Sequence, residues 1–200
     1  MHEITDEYYT IAEKSGGLYK EKGSKFIALA YPVADEDEIK VILESVRKEY
    51  HDARHHCYAY RLGVNDERYR VNDDGEPSGT AGRPIYGQIL SRQLTNILII
   101  VVRYFGGIKL GSSGLANAYK AATRDALELA KIKKRLITEK ITIRYGYPLM
   151  NEVMRKIKEN NLSIVNQDFK TDCELTLEIR LKEKEKAFII FEKIHGVQIE

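Results

Sequence analysis

The segment Asn96-Ile97-Leu98-Ile99-Ile100-Val101-Val102 constrains the fold more than any other stretch of the chain. Its apolar residues do not alternate with polar ones, so a strand built from them is buried on both faces and needs a layer packed on each side. The run is far shorter than the about 20 residues that a bilayer-spanning helix requires. It leads through a glycine-rich connection into a helix expected from Ser112 or Ser113 to Ala130. There Leu115, Ala118, Tyr119, Ala122, Ala126 and Leu129 share one side, and the alanines suit close packing on a sheet.

Around this centre the pattern alternates strands and helices. Strands are expected from Tyr9 to Glu13 and from Lys25 to Val33, joined through Gly16-Gly17 and the basic turn Lys20-Glu21-Lys22-Gly23. Asp35 caps a helix, with Glu38 three residues on as its reciprocal partner, and Ile39, Ile42, Leu43, Val46 and Tyr50 form the apolar stripe. Strands from His56 to Leu62 and from Arg68 to Val71 follow, then a turn-rich loop and a short helix over Ile85 to Leu90. The pattern changes after Lys131-Ile132-Lys133-Lys134-Arg135. Beyond it lie a strand from Glu139 to Tyr145, a helix starting near Pro148, and a strand from Ser163 to Phe169. Cys173, Leu175, Leu177, Ile179 and Leu181 then alternate as a half-buried strand. A last helix carries Ala187, Phe188, Ile190, Phe191 and Ile194, and Val197 to Glu200 opens one more strand. This order is that of a ferredoxin-like β-α-β-β-α-β unit. Two domains are expected, residues 1–134 and 135–200, in the α+β class.

Charge narrows the functional classes. Lys and Arg total 32 against 30 Asp and Glu, a net of +2, which excludes a partner held by bulk charge and leaves room only for a local patch. The division is modest: residues 1–131 sum to −1 and residues 132–200 to +3. Two cysteines, Cys57 and Cys173, exclude a disulfide scaffold or a Cys-rich zinc framework, and both are expected to be reduced. The opening Met-His-Glu-Ile-Thr-Asp-Glu has no basic segment leading into an apolar one, so no secretory signal is expected. A soluble, cytoplasmic protein without membrane partners follows as the expectation.

Two loops carry the candidate chemistry. In Arg103-Tyr104-Phe105-Gly106-Gly107-Ile108-Lys109-Leu110-Gly111-Ser112-Ser113-Gly114-Leu115, free amides at a helix start favour an anion, and Arg103 and Lys109 add charge. Phosphate or an RNA backbone fits, with Gly106, Gly107, Gly111 and Gly114 allowing close approach and Ser112 or Ser113 adding a hydrogen bond. The alternative is a tight crossing in which Arg103 pairs with a carboxylate and Lys109 is solvated. Arg83 joins the patch if the second loop, Asp73-Asp74-Gly75-Glu76-Pro77-Ser78-Gly79-Thr80-Ala81-Gly82-Arg83-Pro84, converges on the first. That loop is neither a Walker A nor a Rossmann fingerprint. A secondary set, Asp73, Asp74 and Glu76 with the strand residues His55 and Cys57, is what an enzyme acting on a phosphorylated or nucleotide-like substrate would use. The same acidic residues serve equally as turn caps. His51, His55, His56 and Cys57 lack the second ligand pair of a structural zinc site, so neither metal nor cofactor is expected.

Asp74 to Pro84 and Val101 to Gly111 with Gly114-Leu115, accompanied by Ser24-Lys25-Phe26-Ile27-Ala28 and Arg54-His55-His56-Cys57-Tyr58-Ala59-Tyr60, resemble the signature of the IMPACT/YigZ family. The resemblance covers about residues 18 to 130, and the remainder is similar to the small C-terminal domain of bacterial members. It implies a ribosomal protein S5 domain 2-like fold followed by a ferredoxin-like domain similar to the terminal domain of elongation factor G. Eukaryotic relatives regulate translation by interfering with activation of an eIF2α kinase, an engagement that uses an RWD domain. Only about 17 residues precede the similar region, so no RWD-mediated partner is expected. The resemblance carries no catalytic residues. It points to structured RNA or a ribosomal particle as partner, with a protein-interaction adaptor as a further class.

Overall fold

The computed structural model describes residues 6–64 and 68–200; the first five residues, read above for a leader, lie outside them. Contacts divide the chain into a larger unit, Tyr8–Arg135, and a smaller one, Leu136–Glu200, which also takes Asp6 and Glu7. Both units mix sheet and helix.

In the larger unit, strands β1 (Glu7–Ile11), β2 (Ser15–Glu21) and β3 (Ser24–Pro32) precede helix α1 (Glu36–Glu49). Then come β4 (His55–Leu62), β5 (Arg68–Asn72), α2 (Gly82–Ser91), β6 (Ile97–Tyr104), α3 (Gly111–Glu128) and β7 (Ile132–Leu136). Five strands form one antiparallel sheet in the order β2-β3-β6-β4-β5, with β6 at its centre. Ile97 through Val102 are wholly buried. Ile97, Ile99 and Val101 face the layer of α2 and α3, where they meet Phe26, Ala118, Tyr119 and Ala122. Leu98, Ile100 and Val102 face α1 through Ile39 and Val46. The unbroken apolar run is thus the middle layer of three.

α1 starts where its cap was expected. Asp35 Oδ1 accepts the amides of Asp37 at 3.0 Å and Glu38 at 2.8 Å. Glu38 reaches back one residue further than a standard capping box, to the Ala34 amide at 2.8 Å.

Two strands differ from the expectation. Gly16-Gly17 is not a connection but part of β2, and a Cβ on Gly17 would fall 2.3 Å from the Ala126 amide nitrogen. The glycine is there because α3 crosses the strand at that point, an approach that any side chain would block. Lys131-Arg135, read as a charged boundary, contributes to β7, which pairs with β1. Every residue of β7 is exposed, so no hydrophobic period marks it. α2 also starts three residues before Ile85, at Gly82, because the upstream Asp73 carboxylate caps it.

The smaller unit runs β8 (Thr138–Tyr145), a single 3₁₀ turn, α4 (Met150–Glu159), β9 (Ser163–Phe169), β10 (Cys173–Arg180), a second 3₁₀ turn, α5 (Lys184–Glu192) and β11 (Gln198–Ile199). Its sheet order is β11-β8-β10-β9. The alternating residues Cys173, Leu175, Leu177 and Ile179 are buried against Val153, Ile157, Ala187 and Phe191 of the two helices. Asp6 and Glu7 join this unit because Arg180 holds both: it forms an ion pair with Asp6, and its Nη2 lies 2.9 Å from Glu7.

Candidate anion-binding cleft

The cleft forms where β3, β6 and β4 end in the larger unit. Phe26, Arg103 and His55 sit side by side in register across these strands. Arg103 continues the face of Ile97, Ile99 and Val101, so its side chain points under the β5–α2 loop rather than into solvent.

That loop is closed around one carboxylate. Asp73 Oδ2 accepts the Gly79 amide at 2.8 Å, and Oδ1 accepts those of Ala81 and Gly82 at 2.9 Å each. Burial alone would raise the Asp73 pKa, but the three amide donors and the nearby Arg83 charge outweigh it and hold the carboxyl below its usual range. Asp74 takes the His56 amide on Oδ2 at 2.6 Å and lies 3.5 Å from Arg47. The Asp74 carbonyl oxygen is 2.8 Å from His55 Nδ1; a carbonyl only accepts, so that nitrogen carries the proton.

So folded, the loop sets Glu76 over the sheet end. Arg103 Nη1 lies 2.6 Å from Glu76 Oε1, and the Tyr119 hydroxyl donates to the same oxygen at 2.8 Å. The two charged side chains are only 7% and 3% exposed. Rings of Phe26 and Phe105 stand 5.4 and 5.6 Å from the guanidinium carbon. Arg103 Nε, fully buried, has no hydrogen-bond partner among the described residues. Of the two readings of Arg103, a cation open to an anion or the partner of a carboxylate, the second is the one seen: Arg103 is half of a buried ion pair. Its partner, Glu76, belongs to the other candidate set. Cys57 Sγ lies 3.2 Å from the Tyr119 hydroxyl and 3.0 Å from the Asp73 carbonyl oxygen. Burial pushes the Cys57 thiol well above its ordinary pKa.

The opposite wall is the start of α3. Its N-cap residue, Leu110, offers no side-chain cap, and the first turn carries no acidic residue. The two walls enclose a cleft of about 390 Å³ lined by Glu76, Pro77, Arg103, Phe105, Lys109, Leu110, Gly111, Ser112 and Leu115.

The anticipated residues thus separate. Arg103, Lys109, Gly111 and Ser112 line the cleft, and so does Glu76 of the secondary set. Arg83, Gly107 and Ser113 are exposed outside its lining. Gly106 is corrected from a ligand approach to a packing contact: a Cβ there would fall 1.9 Å from the Gly23 carbonyl carbon, at the turn between β2 and β3. Gly114 packs against Leu110. Asp73, Asp74, His55 and Cys57 lie outside that lining and hold the loop and floor together. Among the described residues, no group of three or more His, Cys, Asp or Glu is placed to hold a metal ion. The residues not anticipated are apolar, Pro77, Phe105, Leu110 and Leu115; a helical projection from Ser112 to Leu115 was the available signal for the last.

A family model described as the Impact N-terminal domain matches residues 22–127. The chain is 31% identical to the IMPACT family member YvyE of Bacillus subtilis over 176 residues, 88% of this chain and 81% of that one. It is 34% identical to the IMPACT family member YigZ of Escherichia coli over 150 residues, 74% of each. Among solved structures, a crystal structure of a hypothetical protein matches with a TM-score of 0.72 at 27% identity, covering 98% of this chain and 97% of that one.

Proposed function

The chain belongs to the IMPACT family, and from that premise we propose that it is a phosphate-binding protein associated with translation, with structured RNA or a ribosomal particle as its partner. One observation carries the reading: the uncapped start of the 18-residue α3 opens, with Lys109 and Ser112, on a cleft whose floor holds Arg103. Unpaired amides and the helix dipole favour negative charge there, and Lys109 supplies the cation that Arg103, already balanced by Glu76, does not. The near-neutral total charge restricts this attraction to the cleft.

The order of elements within each unit supports finer fold assignments. The five-stranded sheet with α2 and α3 on one face is the reading of the larger unit as ribosomal protein S5 domain 2-like. The β-α-β-β-α-β order with sheet order β11-β8-β10-β9 is the reading of the smaller as a ferredoxin-like plait. A role in translation supports a cytoplasmic setting. Among the described residues no helix is long and apolar enough to cross a membrane.

The test is binding to structured RNA and to ribosomal particles across a salt series. Affinity falls linearly on a log–log plot against salt, and Lys109→Ala weakens binding and lowers the slope by about one. No binding at low salt, or binding indifferent to Lys109, overturns the reading.

A further inference from the structure

We propose that the cleft takes a single nucleotide unit ending in a phosphomonoester, as a phosphorylated strand end or a free nucleoside monophosphate, and excludes the interior of a strand; this rests on the phosphate-binding reading above.

Size is the first argument. At about 390 Å³ the cleft lies near the lower end of small-ligand sites, about 300–1,000 Å³. Grooves that track a strand extend over about 4–16 nucleotides and neutralise several phosphates in a row. Here one lysine, Lys109, is the cation of the lining without an acidic partner inside it, since Arg103 is matched by Glu76. One cation and one helix start suit one phosphate group. A terminal monoester, with a charge near −2, gains more from them than a diester carrying −1.

Arg103 supplies an observation independent of the helix end. It lines the cleft, it is more than nine-tenths buried, and beside the Nη1 bond to Glu76 its Nε is a donor with no partner among the described residues. A buried donor left unmade is costly, so a unit that brings an acceptor to it is favoured. Phe105 stands 5.6 Å from the guanidinium carbon and is 52% exposed, so its ring offers a flat apolar face beside the charge. A nucleobase stacking on that ring, with its phosphate at the α3 start, uses the apolar and the polar wall together.

The experiment is calorimetric titration of the full chain with inorganic phosphate, four nucleoside monophosphates, the matching nucleosides, and one short RNA bearing a 5′-phosphate or a 5′-hydroxyl. The proposal expects monophosphates to bind at least tenfold tighter than nucleosides, and the phosphorylated RNA at least tenfold tighter than its hydroxyl counterpart. Phe105→Ala weakens nucleotides about tenfold and leaves inorganic phosphate unchanged; Lys109→Ala weakens both. Preference for the phosphorylated RNA over monophosphates identifies a strand end as the source, and the reverse a free nucleotide. Equal binding of both RNAs with no binding of monophosphates overturns the proposal and leaves the RNA reading standing. Binding of monophosphates with no binding of either RNA supports the cleft and overturns the RNA reading.

Discussion

Replacing Glu76 by Ala removes the only carboxylate within hydrogen-bonding reach of Arg103 among the described contacts and leaves a guanidinium in a site 7% exposed. Breaking a buried pair from one side costs about 3–5 kcal/mol, because the remaining charge stays desolvated. The Tyr119 hydroxyl loses its acceptor in the same step. For a unit the size of Tyr8–Arg135 this lowers the melting temperature by about 10–20 °C. Glu76→Gln keeps an oxygen for both donors and costs less. Urea unfolding followed by circular dichroism, with Tm from calorimetry, reads these differences; a chain of two units is fitted with two transitions. Arg103→Met added to Glu76→Ala recovers stability relative to the single change, since the stranded charge is gone. A cost below about 1 kcal/mol, as for an exposed pair, refutes the buried-pair account.

Gly17→Ala, with its new Cβ 2.3 Å from backbone of α3, is expected to destabilise by about 1–3 kcal/mol, while Gly87→Ala, inside α2 and facing open space, stabilises by about 0.5–1 kcal/mol; chemical denaturation compares them. Asp73 is held below the ordinary carboxylate range in the folded chain. Its contribution is therefore full above the unfolded value of about 3.9 and lost as pH falls through the lower folded value. Asp73→Asn then destabilises at pH 7, and the gap to the parent protein narrows below pH 4 in pH-dependent melting. Cys57 and Cys173 are both buried with raised thiol pKa, so iodoacetamide modifies neither in the native protein and each only as its own unit unfolds; rapid native modification of Cys57 contradicts its burial.

Local signals reached those elements whose period or cap is written along the chain. The Ile97–Val102 run, the Asp35 cap and the alternation from Cys173 to Ile179 each depend on residues a few positions apart. β2 and β7 escaped because nothing local distinguishes a glycine that admits a helix from one that makes a turn, or an exposed strand from a charged connection. The same division runs through the cleft. A helix start after Gly111, free of acidic residues and followed by alanines, is local information, and so is the presence of Arg103 and Lys109 beside it. That Arg103 faces Glu76 across 27 positions, and that Gly106 serves the Lys22–Gly23 turn rather than a ligand, depends on how the ends of β3, β4 and β6 are brought together. By itself the sequence determined a doubly covered strand, a helix start free of acidic residues, and a charge balance that forbids bulk attraction. Tertiary structure decided that the Arg103 charge is balanced, because a side chain's charge is available only if no opposite charge is folded against it, and its partner Glu76 came from a distant loop.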